Sequence, residues 1–175
     1  MPKRSKKQID IDEKKILNEL RINGKKSIND IAESLGFSRQ KVWRVIKNLE
    51  KNKTIWGYTT IIDFEKQGLK SYTLLIKRTM NPLDNKIGDL LTSGELSEIG
   101  PKMGVNIIDS KYVHGEYDWI ISFTAEDIKQ AKKMQETLNT LYHKYIDRVT
   151  LLEDLFVTRD HSILNPDFKE IKKFI

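Results

Sequence analysis

Cysteine is absent from this 175-residue sequence, and its absence excludes several kinds of chemistry at once. Without thiols there is no disulfide, no thiolate metal site and no thiol nucleophile. Long hydrophobic runs are also missing, since no stretch approaches the ~18 apolar residues of a membrane span. The N-terminus, MPKRSKKQ, lacks the apolar core of a signal peptide. We therefore expect a cytoplasmic protein with no membrane partner.

Histidine is scarce, with three residues in the whole chain. His114, His143 and His161 do not have the spacing of metal ligands, and no candidate nucleophile stands beside them. We interpret each as an exposed or structurally satisfied side chain. The sequence therefore predicts no metal site, no cofactor and no catalytic residue, and the protein is not expected to be an enzyme.

Basic and acidic residues are unevenly distributed along the chain. Residues 1–60 hold 15 Lys and Arg against 7 Asp and Glu, whereas residues 61–175 hold 16 against 18. A basic N-terminal third attached to a near-neutral remainder indicates that nucleic-acid binding is confined to one domain. The alternative is a chance clustering of lysines.

The segment Ser27–Lys53, SINDIAESLGFSRQKVWRVIKNLEKNK, is typical of a helix-turn-helix. Ser27 followed by Asp30 is a helix start signal, because both side chains can satisfy free backbone amides. Gly36 supplies the backbone freedom to end this helix, and Ser38 starts the next one. Apolar residues recur on one face of each helix, namely Ile28, Ile31, Ala32 and Leu35 in the first and Val42, Val45, Ile46 and Leu49 in the second.

The first turn of the second helix carries cations where a helix normally carries acids. Arg39, Gln40 and Lys41 follow Ser38, although the partial positive charge of a helix N-terminus favours Asp or Glu. Each cation in this position loses or costs roughly 0.3–1 kcal/mol of helix stability. A polyanion facing this end would explain the arrangement, since amide donors and cations then converge on phosphates and base edges. The alternative is a solvated basic face on a surface helix.

We therefore predict that the second helix contacts DNA. Gln40 is suited to pair with adenine, and Arg39 or Arg44 with guanine. Lys41 and Lys47 are predicted phosphate contacts, which set affinity without reading sequence. The candidate DNA-binding residues are Ser38, Arg39, Gln40, Lys41, Trp43, Arg44 and Lys47. Trp43 has no assigned role within this set.

A different pattern begins at Ser71, where β-rich segments alternate with helical ones. Glycines and Pro101 interrupt the helical region that opens at Pro82, which predicts two short helices there. Gly115 and Glu116 separate the second and third strands and predict a tight hairpin. The predicted strands cover residues 71–78, 105–114, 117–124 and 149–158, and a longer helix covers residues 127–145.

This order, β-α-β-β-α-β, is the ferredoxin-like or split β-α-β arrangement. Helices on one face of a four-stranded antiparallel sheet leave the other face uncovered, and a second copy of the chain is the simplest cover. With an N-terminal winged or three-helix helix-turn-helix domain, the sequence predicts an α+β protein.

The domain organisation follows from these patterns. A further helix is predicted from about Ile11 to Asn23, and TIWGYTTIID after the helix-turn-helix is expected to be extended. The predicted parts are a basic flexible arm (1–8), a DNA-binding domain (9–63), a hinge (64–70), a dimerisation and effector domain (71–159) and a C-terminal tail (160–175). The tail is expected either to pack on a dimer or to be disordered.

Four motifs in this order resemble the Lrp/AsnC family, also called feast/famine regulators. They are IDIDEKKILNEL, the LGFS turn with RQKVWRVIKNLE, IWGYT at Ile55–Thr59, and GEYD at Gly115–Asp118. The resemblance runs from about Ile9 to Thr158. It implies a sequence-specific DNA-binding transcriptional regulator that acts as a homodimer, or as a tetramer or octamer built from dimers. Trp43 and Val45 depart from the family, which usually has a small hydroxyl and often a basic residue there.

The resemblance also implies where an effector would bind. The family's C-terminal domain often senses an amino acid or related metabolite between subunits. The candidate effector-binding residues are Gly115, Glu116, Tyr117 and Asp118. Glycine permits a positive-φ turn, and Asp118 is suited to accept an ammonium group. The alternative is a structural turn in which Asp118 bonds local amides.

Two other functions are left open by the resemblance. Lrp-like scaffolds also serve as haem-pathway decarboxylases that keep a helix-turn-helix. Against this stand the basic residues of the second helix and the lack of Cys or clustered His for a tetrapyrrole. The other alternative is an oligomerisation partner that modifies related regulators without binding DNA itself.

Overall fold

The computed structural model describes residues 6–82 and 84–175, and residues 1–5 of the predicted arm lie outside this part. The chain forms two compact units. The first comprises Met1–Ile61 and Thr158–Phe168, and the second comprises Ile62–Val157 and Lys169–Ile175.

The first unit is built on three helices: α1 (Lys6–Ile22), α2 (Ile28–Leu35) and α3 (Arg39–Lys51). A side chain from each helix is fully buried at the centre, where Ile16, Ile31 and Val42 meet with 0% exposure. The spacing of these residues follows the helical period, because one face of each helix must be removed from water. The predicted three-helix core is confirmed.

Helix α1 begins five residues earlier than the apolar pattern indicates. Lys6, Lys7 and Gln8, which the sequence places in a flexible arm, form its first turn. Gln8 Nε2 donates to Asp12 Oδ1 at 3.0 Å, an i,i+4 contact that stabilises the helix start. The expectation of a flexible arm is therefore wrong for residues 6–8.

The predicted turn chemistry between α2 and α3 is confirmed. Ser27 and Asp30 form a reciprocal capping box at the start of α2. Gly36 ends α2 with φ 63° and ψ 34°, and its N–H donates to the carbonyls of Ala32 and Glu33. Ser38 caps α3, because its Oγ accepts the N–H of Lys41 at 3.3 Å.

The second unit contains a four-stranded sheet of β1 (Lys70–Arg78), β2 (Asn106–Tyr112), β3 (Trp119–Ala125) and β4 (Ile146–Glu153). The spatial order is β2-β3-β1-β4, and every neighbouring pair is antiparallel. The helices of this unit are α4 (Asn85–Thr92), α5 (Glu95–Lys102) and α6 (Ile128–Leu141). The β-α-β-β-α-β arrangement is confirmed, with two short helices in the first helical position.

Burial alternates along the central strand β1. Tyr72, Leu74 and Ile76 are at most 2% exposed and pack in the core of this unit with Met134 and Leu138 of α6. The intervening residues of β1 are only half-buried. Because successive strand side chains point to opposite faces, one face of the sheet carries the core and the other is more open.

The loop between β2 and β3 is wider than predicted. β2 ends at Tyr112 and β3 begins at Trp119, so Gly115 and Glu116 do not form a two-residue turn. Gly115 also lacks a positive φ. The ladder continues to Val113, whose N–H donates to the Asp118 carbonyl at 2.8 Å, while the Asp118 N–H donates to Ile76 of β1 at 2.9 Å. These bonds leave residues 114–117 as the loop.

Residues 55–63, IWGYTTIID, form no strand in the single chain. Trp56 is 94% exposed and Tyr58 is 54% exposed. The predicted hinge contains a 3-10 turn at Glu65–Gln67, ended by Gly68 with φ 73°, and its last residue already begins β1. This segment therefore has less regular structure than its β-branched and aromatic composition suggests.

The C-terminal segment has structure of its own. A two-stranded hairpin, β5 (Arg159–Asp160) and β6 (Ile163–Leu164), belongs to the first unit. A 3-10 helix follows at Phe168–Lys173. The final residues belong to the second unit, where the rings of Phe174 and Phe156 lie 5.5 Å apart.

The left-handed conformation of Gly36 generates a stability prediction. We expect Gly36→Ala to lower the free energy of unfolding by about 1–2 kcal/mol, because a Cβ is disfavoured at positive φ. Gly57→Ala is the matched control, since Gly57 lacks a positive φ and has open space around its Cα. Thermal denaturation followed by circular dichroism measures both, and equal stabilities would contradict the prediction.

Candidate nucleic-acid interface

Helix α3 presents a continuous polar face to solvent. The exposed candidate residues are Ser38, Arg39, Gln40, Trp43, Arg44 and Lys47. Trp43 is 54% exposed, so its indole is part of the same surface rather than of the core. The structure therefore brings six of the seven predicted residues together on one accessible face.

Three side chains in the first two turns of α3 have no partner within the described residues. Arg39, Gln40 and Arg44 make no ion pair and no side-chain hydrogen bond there. No acidic residue lies in the first turn of the helix. Their donors therefore face solvent beside the partial positive charge of the helix end, as a surface that binds a polyanion requires.

Further along the same face, Lys47 pairs with an acid. Its Nζ donates to Glu50 Oε2 at 2.8 Å, and the Tyr58 hydroxyl donates to Glu50 Oε1 at 3.1 Å. The hydrogen bond from Lys47 holds the pKa of Glu50 below its usual range, whereas burial and the Glu50 contact raise the pKa of the Tyr58 hydroxyl. Glu50 therefore partly neutralises this end of the basic face.

Lys41 lies on the opposite side of α3 from the other candidates. It is 8% exposed, and its Nζ lies 2.6 Å from Oδ2 of Asp12, which is itself 4% exposed. The same ammonium lies 3.1 Å from the centroid of the Phe37 ring. This placement does not support the predicted phosphate contact, and it indicates that Lys41 joins α3 to α1.

The sequence contains a signal for this ion pair that the charge pattern obscures. Asp12 lies one helical turn before Ile16 on the apolar stripe of α1, and Lys41 lies one turn before Val45 on the buried side of α3. An acid and a base on two buried helical stripes are expected to pair, because each is costly when buried alone.

The loop residues predicted to bind an effector are held by local contacts. Asp118 Oδ2 accepts the backbone N–H of Arg78 at 2.9 Å and lies 3.8 Å from Lys77 Nζ. Glu116 Oε1 lies 3.5 Å from Arg148 Nη2, and the Arg148 guanidinium lies 5.8 Å from the Tyr117 ring centroid. The bonds of Asp118 are those of a structural turn, the alternative to ligand binding.

An apolar cavity adjoins Asp118 in the second unit. Its volume is about 40 Å³, and its walls include Trp119 and Tyr142, whose rings meet edge to face at 5.6 Å. Sites for small molecules typically enclose about 300–1,000 Å³. The cavity within one chain is therefore too small to enclose an amino-acid effector by itself.

The described residues hold no cluster of His, Asp or Glu suited to a metal ion. Among them, no helix is long and apolar enough to cross a membrane.

Comparisons with known proteins agree with this geometry. Residues 10–55 match the family of winged helix-turn-helix DNA-binding domains. The leucine-responsive regulatory protein of Haemophilus influenzae is 38% identical over 65 residues, which span 37% of this chain and 39% of that protein. The first unit therefore contains a helix-turn-helix DNA-binding domain.

Solved structures extend the likeness to both units. An AsnC family transcriptional regulator from Agrobacterium tumefaciens has a TM-score of 0.64 at 18% identity, over 89% of this chain and 96% of that one. The feast or famine regulatory protein of M. tuberculosis, complexed with L-methionine, has a TM-score of 0.66 at 20% identity, over 87% and 94%. The chain has the Lrp/AsnC fold. The resemblance predicted from the four motifs is thereby confirmed.

The buried ion pair predicts different outcomes for single and double substitutions. Lys41→Met leaves Asp12 buried without its cation, and we expect the free energy of unfolding to fall by about 3 kcal/mol. Asp12→Leu/Lys41→Met replaces both charges by apolar groups and is expected to recover most of this loss. Urea denaturation measures both variants, and a double variant no more stable than Lys41→Met would contradict this account.

The bonds to Asp118 predict a stability loss in the second unit. Asp118→Ala leaves the Arg78 N–H without its acceptor, which is expected to cost about 1–3 kcal/mol. Asp118→Asn retains a side-chain carbonyl and is expected to lose less. Glu116→Ala, an exposed change in the same loop, is the control and is expected to change stability by about 0.5 kcal/mol or less. Equal effects of Asp118→Ala and Glu116→Ala in urea denaturation would refute a structural role for Asp118.

Proposed function

We propose that this protein is a sequence-specific DNA-binding transcriptional regulator of the Lrp/AsnC type. The observation that carries the proposal is the exposed face of α3, on which Arg39, Gln40 and Arg44 are accessible and without partners among the described residues. Gln40 is suited to adenine and the two arginines to guanine. Ser38 and Lys47 border this face, and we assign them to the phosphate backbone.

The proposed active form is a homodimer or an assembly of dimers. Support comes from the open face of the sheet, where Leu75 and Ile120 are only half-buried and Leu152 is 43% exposed in the single chain. A second copy would remove these side chains from water. Two recognition helices related by a two-fold axis would enter successive major grooves, about 34 Å apart.

An amino-acid effector is a further part of the proposal. The feast or famine regulator with a similar fold was crystallised with L-methionine. In this chain, the cavity of about 40 Å³ beside Asp118 would form one part of the proposed site. A neighbouring subunit would enclose the remainder. Gly115, Glu116 and Tyr117 lie in the adjoining loop and would border the same site.

The proposal predicts specific DNA binding that depends on Arg44. Arg44→Ala is expected to weaken binding to the protein's own promoter by about 1–3 kcal/mol, because a base contact is lost, and to leave assembly intact. Lys51→Ala removes the same charge from the last turn of α3 and is the control. Mobility shifts at several salt concentrations measure both variants.

Binding that is no tighter to the promoter than to random DNA would overturn sequence-specific regulation. Native mass measurement with and without a panel of amino acids tests the assembly and effector parts separately. A mass of one chain under all conditions would refute the proposed dimer.

A further inference from the structure

The hairpin β5–β6 is a folded part of the first unit, although it lies at the far end of the sequence. His161 and Ser162 form its two-residue turn, with φ values of 41° and 73°, the left-handed pattern of tight hairpins. Arg159 Nη1 donates to the Ser162 carbonyl at 2.8 Å, and the Asn165 N–H donates to the Thr158 carbonyl at 3.0 Å. Successive positive-φ residues other than glycine persist only where surrounding contacts hold them.

One such contact joins the hairpin to α1. Arg21, in the last turn of α1, donates from Nη1 to Ser162 Oγ at 2.9 Å and from Nη2 to Asn18 Oδ1 at 3.0 Å. The hairpin is therefore attached at the end of α1 from which the chain turns into α2. Lys26 fixes this turn, because its ammonium bonds Glu19 of α1 and Ser34 of α2.

This position is close to where DNA is expected to pass. In a helix-turn-helix, the first helix of the motif crosses the phosphate backbone while the second enters the major groove. Here the first helix is α2, and its N-terminus begins at Ile28, seven residues after the hairpin's anchor, Arg21. The hairpin's anchor therefore lies at the end of α1 that leads into α2.

The first unit has no other hairpin within its described residues. A wing is a β-hairpin that flanks the recognition helix and touches the DNA backbone, and in winged domains it usually follows that helix directly. Residues 10–55 match a winged family, yet residues 52–69 contain no strand. Tyr58 lies beside Gly24 in the α1–α2 turn, and its segment pairs with no strand among the described residues.

The hairpin presents an arginine to solvent. Arg159 is exposed, and the bond to Ser162 uses one of the five N–H donors of its guanidinium. Asp160, the only acid of the hairpin, is half-buried, and its Oδ1 lies 2.5 Å from His161 Nδ1. An arginine that is oriented but still accessible is a typical phosphate ligand.

We propose that the C-terminal hairpin is the wing of the DNA-binding unit, and that Arg159 contacts a backbone phosphate flanking the groove occupied by α3. This inference rests on the proposed DNA-binding function. It assigns a DNA contact to a residue that lies about 100 positions beyond the helix-turn-helix.

The test compares the salt dependence of DNA binding by full-length variants. Arg159→Gln is expected to weaken binding several-fold on promoter and random DNA alike, and to lower the log–log salt slope by about 0.9 because one phosphate contact is lost. Arg159→Lys keeps the charge and is expected to retain the slope. Lys172→Gln makes the same change of charge in the second unit and is expected to behave like the original protein.

The outcomes separate the wing from the general function. If the original protein binds DNA and Arg159→Gln binds with the same affinity and salt slope, the wing proposal alone is overturned. If the original protein does not bind DNA, both proposals are overturned. If Arg159→Gln unfolds the hairpin, amide hydrogen exchange on the original protein tests the wing proposal instead. Slower exchange at residues 159–164 on adding DNA supports the wing, and unchanged exchange refutes it.

Discussion

A buried ion pair joins α3, which carries the exposed basic face, to α1. Three apolar side chains fill the centre of the first unit, but apolar packing is non-directional and tolerates rotation of a helix about its own axis. The contact between Asp12 and Lys41 is directional, since the carboxylate and ammonium must lie within hydrogen-bond distance while both are nearly inaccessible to water. A charge left alone there is costly, so the pair permits few arrangements of α3 against α1. The exposed face of α3 is fixed as a consequence.

This pair also explains why one predicted interface residue, Lys41, is not on the exposed face. The exposed residues Arg39, Gln40 and Arg44 follow from helical periodicity, because the apolar stripe defines the opposite face. Charge predicts an exposed Lys41, although its position one turn before Val45 belongs to the buried side. Periodicity places Asp12 and Lys41 on buried helical stripes, and the tertiary structure shows that α1 and α3 bring the two side chains together.

Other features of the fold also divide into those that local sequence predicts and those that depend on distant contacts. Strand and helix order follows from local composition and is confirmed, whereas the loop between β2 and β3 is not a two-residue turn. Its geometry is set by the Asp118 N–H, which bonds Ile76 on a different strand. The C-terminal hairpin likewise bonds α1 across the sequence, through Arg21 and Ser162. Contacts of this kind appear only when the tertiary structure is known.

The discontinuity of the first unit has a consequence for its biosynthesis. The helices are complete once about fifty residues have emerged, and three-helix cores with local contacts fold quickly. The hairpin residues are made after Ile62–Val157, the larger part of the second unit. Arg21 must therefore remain available while more than a hundred residues are added, and a chain that stops early carries the helices of this unit without its hairpin. The hairpin bond to Arg21 thus forms only after Ser162 has been made.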